Sequence, residues 1–258
     1  MKRFILLLAV TTLVSFSSFS QKGAREWYEL KIYTLGKPEQ AQRIDDYLKN
    51  AYIPAMHKLG YSSIGVFTPL EADTLFGKKV YVLITYPSLQ KFSEVQAGLS
   101  KDQEYQTKGK DYIEATHDNV PYKRIESVLM KAFSKSPVMQ RPKLTGPRSE
   151  RIYELRSYEG PTEKRYENKV KMFNDGDEVG LFARLNFNAV FYGEVLAGSK
   201  MPNLMYMTTF DNKQSRDDHW KAFSADAQWA KLKVMPEYQN NVSKNVQTFL
   251  RPTEYSDY

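Results

Sequence analysis

The sequence predicts an α+β fold: two tandem ferredoxin-like (βαββαβ) repeats whose antiparallel sheets pack face to face into a pseudo-dimeric α+β barrel. The first observation behind this is an internal echo. Tyr28-Glu29-Leu30-Lys31-Ile32-Tyr33 returns as Tyr153-Glu154-Leu155-Arg156-Ser157-Tyr158, 153 − 28 = 125 residues later. The second is that the echo persists in order. Residues 81–86 answer to 205–210, and Asp102-Gln103-Glu104-Tyr105 answers to Asp226-Ala227-Gln228-Trp229, both at an offset of 226 − 102 = 124. A period this long exceeds a solenoid unit and fits a duplicated small domain. The third is that each copy reads strand, helix, strand, strand, helix, strand, the split βαβ plan with both helices on one sheet face. Packing the two remaining faces together is the economical way to cover them.

Each element has its own signal. In the first copy a strand spans residues 27–34, and a helix follows Lys37-Pro38, where proline suits a first turn. Ile44, Leu48, Ala51, Ala55 and Leu59 recur at helical spacing up to Gly60, a C′ stop, while Pro54 inside the pattern should kink or divide the helix. Strands are expected at 64–68 and 79–86, with a turn containing Gly77 between them. Ser88 caps a helix running to about Leu99, a shorter helix starts at Asp102, and 127–133 closes the unit. The second copy repeats the order: strand 152–158, a helix from Thr162, strands 189–193 and 204–210, a helix from Asn212, and strand 246–250. The organisation is therefore a leader at 1–20, a first repeat at 21–134, a linker at 135–150, a second repeat at 151–251 and a tail at 252–258, read as loose. Pro137, Pro142 and Pro147 stiffen the linker.

Lys2 and Arg3, the apolar run from Phe4 to Val14 and the small-x-small Ser18-Phe19-Ser20 have the form of a signal peptide cleaved near Ser20/Gln21. The run is too short to span a bilayer, so a periplasmic or secreted protein is expected, with no membrane span. The chain has no cysteine, which removes disulfides, thiol nucleophiles and cysteine metal sites. The formal charge of +7 falls to 7 − 2 = +5 without Lys2 and Arg3, and the lysines are scattered among acids, so nucleic acid is not an expected partner. There is no glycine-rich phosphate loop, no Gly-x-Ser-x-Gly and no His-Glu-x-x-His.

The Tyr-Glu-Leu-Arg/Lys-x-Tyr strand and the later Asp-x-x-Trp/Tyr resemble the NIPSNAP family. The second copy is closer, with His219-Trp220-Lys221-Ala222-Phe223 leading to Asp226-Ala227-Gln228-Trp229; the first has Tyr105 where Trp229 stands. The resemblance covers nearly all the chain after the leader, as two tandem domains. It implies a dimeric α+β-barrel fold, shared with small monooxygenases and haem-handling enzymes, and it brings no catalytic residues. His57, His117 and His219 form no metal-ligand spacing. A lone histidine can ligate haem, as in the fold's haem-binding relatives, but helix-surface histidines are the expectation here and no cofactor or metal is predicted.

Period two places Tyr28, Leu30 and Ile32 on one face of the repeated strand and Trp27, Glu29, Lys31 and Tyr33 on the other. The apolar set is expected to face the helices and the polar set the lumen. Glu29, Lys31, Tyr33, Glu154, Arg156 and Tyr158 are therefore the ligand-binding candidates; the alternative is a structural ion-pair layer. Tyr105, Trp220, Phe223 and Trp229 are expected to pack on the sheet, and the alternating Glu163, Arg165, Glu167 and Lys169 to form a solvated helix face. The leading functional expectation is binding of a small aromatic or amphiphilic molecule in or beside the barrel. The alternatives are a cofactor-independent monooxygenase or isomerase using Tyr33, Tyr158, Glu29 or Glu154, and an assembly or partner-binding protein. A homodimer is compatible with all three.

Overall fold

Eight antiparallel strands close into one barrel in the order β1-β3-β2-β8-β5-β7-β6-β4. A computed structural model describes residues 24–258; the predicted leader lies outside the described residues. The first copy contributes β1 (Trp27–Thr34), α1 (Glu39–Tyr47), a π-turn (Leu48–Tyr52), α2 (Ile53–Lys58), β2 (Ile64–Pro69), β3 (Lys79–Tyr86), α3 (Leu89–Leu99), α4 (Gln103–Lys108), α5 (Lys110–Ile113) and β4 (Arg124–Ala132). The second contributes β5 (Ile152–Glu159), α6 (Glu163–Asn174), α7 (Glu178–Arg184), β6 (Phe191–Ala197), β7 (Asn203–Phe210), α8 (Lys213–Ala225), α9 (Ala227–Leu232), a short 3-10 turn (Pro236–Tyr238) and β8 (Lys244–Pro252). Among the described residues no helix is long and apolar enough to cross a membrane.

Local chemistry explains the boundaries. Ser88, Asp102, Thr162 and Asn212 each accept a backbone N–H from the first turn of the helix they precede, satisfying donors that no helical carbonyl can reach. Gly60 closes α2 at φ +91°, a conformation that favours glycine. Pro54 has no N–H for the Asn50 carbonyl, and the preceding turn widens to a π-turn rather than breaking. Strand β6 lies further along than the predicted 189–193; just before it, the Val190 N–H donates to the Met207 carbonyl on β7 while its own carbonyl serves the crossing described below.

Alternation along the strands divides the core into three layers. Val80, Val82 and Ile84 pack under the helices of the first copy, whereas Tyr81 and Leu83 point into the lumen. The lumen holds Tyr28, Leu30, Phe67, Met130, Tyr153, Leu155, Phe191, Met205 and Met207, drawn from both copies. The expected facing of the repeated strand is thereby reversed. Tyr28, Leu30 and Ile32 fill the lumen, and Glu29, Lys31 and Tyr33 turn towards the helices. A narrow closed barrel has room for apolar side chains but none for the hydration a charge requires. A void of about 20 Å³, space for one water, remains at one mouth beside Ile32, Val128, Met205 and Asn203.

The two seams of the barrel are short. At one, Phe67–Pro69 pair with Leu250–Pro252; at the other, Leu129–Ala132 pair with Gly193–Ala197 across an irregular register. Each seam is extended by the segment that follows the last strand of the opposite copy. Phe133 and Gln140 donate to the carbonyls of Tyr192 and Val190, and Thr253 and Asp257 donate to those of Val66 and Ile64. Ser256 Oγ and Asp257 Oδ2 accept from the Val66 and Ile64 N–H groups in return. The tail is thus anchored rather than loose, and Tyr258 inserts its ring beside Phe67 in the lumen.

Candidate functional site

The six predicted site residues lie in two separate polar layers, each between one sheet and its own helices. In the second copy Glu154 is completely buried, and both of its oxygens are taken. Oε1 accepts from Arg156 Nη2 at 2.6 Å and from Arg216 Nη2 at 2.9 Å. Oε2 accepts from Arg216 Nε and Trp220 Nε1, each at 2.8 Å. The Arg156 guanidinium stacks on Trp220, 3.8 Å from the ring centroid, and donates to Tyr158 Oη at 3.2 Å. Gln247 presents its amide to the same guanidinium, and with the oxygen facing it accepts at 2.7 Å. Tyr158 and Tyr206 share a hydroxyl contact of 2.8 Å. Burial alone would raise the Glu154 carboxyl, but Arg216, Arg156 and Trp220 outweigh it and hold it below the usual carboxylate range. A carboxylate so neutralised is a poor general base.

Lys169 departs from the solvated face predicted for α6. It is buried, paired with Glu178 at 2.9 Å and lies over the Phe173 ring at 4.7 Å. Trp220, Phe223 and Trp229 pack together as expected, with Phe223 and Trp229 centroids 4.5 Å apart.

The first copy keeps the strand motif but changes the partners. Glu29 Oε1 accepts from Ser127 Oγ at 2.7 Å, and Oε2 accepts from Tyr86 Oη at 3.0 Å. Lys31 stands 3.9 Å from Glu29 with its side chain a quarter exposed, and 3.5 Å from the hydroxyl of Tyr52 on the π-turn. Tyr112 donates to Tyr33, stacks on Tyr47 at 3.6 Å, and Tyr47 meets Tyr105 hydroxyl to hydroxyl at 2.8 Å. Burial pushes the phenols of Tyr33, Tyr52 and Tyr86 up, so they stay neutral hydrogen-bond donors. The structure therefore brings Glu29 with Lys31, and Glu154 with Arg156 and Tyr158, but never the two triplets to one place.

An open cleft of about 550 Å³ adjoins the first layer. It is bounded by the loop after α2, the end of β3 and the face of α3. Leu59, Tyr61 and Val95 give it an apolar wall, with Ser63, Thr85 and Glu26 at its polar side. Tyr61 meets Tyr86 edge-on at 5.2 Å, so the cleft is backed by the ring that donates to Glu29. Lys91 and Glu94 pair with each other at the rim, 2.7 Å apart. Burial raises the Glu26 carboxyl, partly offset by the N–H of Met139.

Sequence reasoning missed Arg216, Tyr86, Tyr52, Lys169 and the cleft. Phe92 occupies the first-copy position of Arg216 (216 − 92 = 124), so the duplication itself gave no reason to single out that arginine. Among the described residues no group of three or more His, Asp or Glu is placed to hold a metal ion. His57 meets Asp257 at 3.0 Å, and His219 Nδ1 meets the Ser215 carbonyl at 2.6 Å.

A family model described as NIPSNAP matches residues 28–137 and again 153–257. A search of curated protein sequences returns no match. Similar solved structures include a putative monooxygenase from Lactobacillus acidophilus (TM-score 0.57, 10% identity, 88% of this chain and 94% of that one). A putative monooxygenase from Fusobacterium nucleatum (TM-score 0.54, 10% identity, 89% and 93%) and an anthrone oxidase-like protein (TM-score 0.53, 9% identity, 90% and 93%) are also similar. At such identities the likeness is one of fold.

Proposed function

From the premise that this chain belongs to the NIPSNAP family, we propose that it binds a small amphiphilic molecule beside the barrel, in the cleft of the first copy. The observation that carries this reading is the contrast between a lumen packed with side chains and an open cleft of about 550 Å³ next to it. The apolar wall of Leu59, Tyr61 and Val95 suits an aromatic or alkyl body. The Lys91–Glu94 pair is already neutralised, which leaves Glu26 as the acid able to receive a hydrogen-bond donor or an amine. Glu29 acts behind Tyr86, bracing the cleft wall rather than touching the ligand, while Lys31 and Tyr33 serve the same layer further along the strand, at Tyr52 and Tyr112. Glu154, Arg156 and Tyr158 form a structural ion-pair layer. The leader-like first twenty residues favour a ligand met outside the cytoplasm.

The test is native mass spectrometry of protein purified without detergent, together with titration of phenethylamine. The expected result is a bound small molecule, or saturable phenethylamine binding, that Ser62→Trp at the exposed cleft edge abolishes while thermal unfolding stays unchanged. Binding that survives in Ser62→Trp, or no binding to the wild type, would sink the reading.

A further inference from the structure

A second groove, on the opposite copy, has the reverse electrostatic character. It lies between the linker and the α7–β6 loop, measures about 460 Å³, and includes Lys135, Arg141 and Lys143 in its lining with no carboxylate. We propose that this groove binds a small organic phosphate, with the phosphate held by these three cations and a short apolar substituent against Val179 and Ala189.

The backbone around the groove is fixed. The Lys135 N–H donates to the buried Asn174 Oδ1 at 3.0 Å, and the Gln140 N–H donates to the Val190 carbonyl at 2.9 Å. Arg141 Nη2 donates to the Ser62 carbonyl at 3.0 Å and Ser63 Oγ at 3.2 Å, which fixes this cation at the edge of the groove nearest the first copy. Like charges along the lining of a concavity focus a positive potential that a bound anion relieves. Three cations match a doubly charged phosphate ester better than a single carboxylate, and an arginine fork beside lysine point charges is a recurrent phosphate donor set. The concave shape favours one soluble headgroup over a flat anionic surface. The same position in the first copy is not available, because there the tail brings Tyr255 onto the core and pairs Asp257 with His57.

The experiment titrates the full chain with n-butyl phosphate by calorimetry, with inorganic phosphate and with vesicles of phosphatidylcholine and phosphatidylglycerol as separate arms. The double variant Lys135→Gln/Lys143→Gln should weaken n-butyl phosphate binding roughly a hundredfold, about tenfold for each charge-assisted hydrogen bond removed. Lys164→Gln, on the exposed face of α6, should leave it unchanged. Inorganic phosphate should bind more weakly, for want of the apolar substituent. No binding of n-butyl phosphate to the wild type, equal binding by the double variant, or binding to the anionic vesicles alone would overturn the proposal. Equal affinity for inorganic phosphate would overturn its organic part.

Discussion

The two copies carry the same Tyr-Glu-Leu-basic-x-Tyr strand, yet they neutralise its glutamate in different ways. In the second copy Glu154 is enclosed by two guanidiniums and an indole, and the polar layer is sealed. In the first copy Glu29 relies on two hydroxyls and a distant, partly wet lysine, and an open cleft lies alongside. Duplication thus preserved the charge but not its enclosure. Arg216 stands where the first copy has Phe92, and Arg156 where it has Lys31. The longer, planar side chains fill the space between sheet and helix in the second copy.

Substitution should cost most in the sealed layer. Arg156→Met removes a cation whose side chain is 7% exposed from a wholly buried carboxylate, and should cost roughly 3–5 kcal/mol in urea unfolding. A loss no greater than that of a surface control such as Lys164→Met would show that the second-copy layer is not sealed.

Next comes acid sensitivity. Glu154 is held below its ordinary value of 4.5, so its contribution is complete above that pH and is lost as pH falls through the lower folded value. The stability gap between wild type and Glu154→Gln should therefore be constant from neutral pH to about 4.5 and shrink below it. A gap that instead widens in acid would reverse the assignment of the ionised form.

In the first copy Tyr86→Phe removes one of two hydroxyl donors from Glu29 and should cost about 1–2 kcal/mol, the cost of one buried acceptor left short. Cleft binding should hold, because the ring that Tyr61 leans on is kept. Lys31→Met should cost least, under about 1 kcal/mol, since a partly exposed pair at 3.9 Å is weak. Equal losses for Lys31→Met and Arg156→Met would erase the contrast between the copies.

Much of the fold was legible because its signals are local. The repeated strand, the cap at Ser88, the helix starts at Asp102, Thr162 and Asn212, and the stop at Gly60 each follow from one or two residues. The facing of the strand was not, because both faces of a barrel strand under helices are buried. Tyr28 and Tyr33 look alike in sequence but belong to different layers. The choice is made by space, and the lumen is too narrow for a hydrated charge. Arg216 could not be read from the strand motif, since its role depends on α8 packing on β7, next to β5, within side-chain reach of Glu154. Lys169 looked like one of four alternating charges, and only the arrival of Glu178 from α7 takes it out of water. The tail reads as a polar end, and its partners, Ile64 and Val66, lie nearly two hundred residues away in the chain.

The crossing of those terminal segments governs how the molecule comes apart. Each half is fastened by a strip of backbone that belongs to the other, like two hands each gripping the opposite wrist. Neither half can be expressed alone without leaving strand-edge groups at Ile64 and Val66, or at Val190 and Tyr192, unpaired. Because the clasp is intramolecular, its local concentration is fixed by the chain and does not fall on dilution. The halves should therefore melt in a single concentration-independent transition, and a cut in the 141–147 linker should convert it into one that depends on dilution.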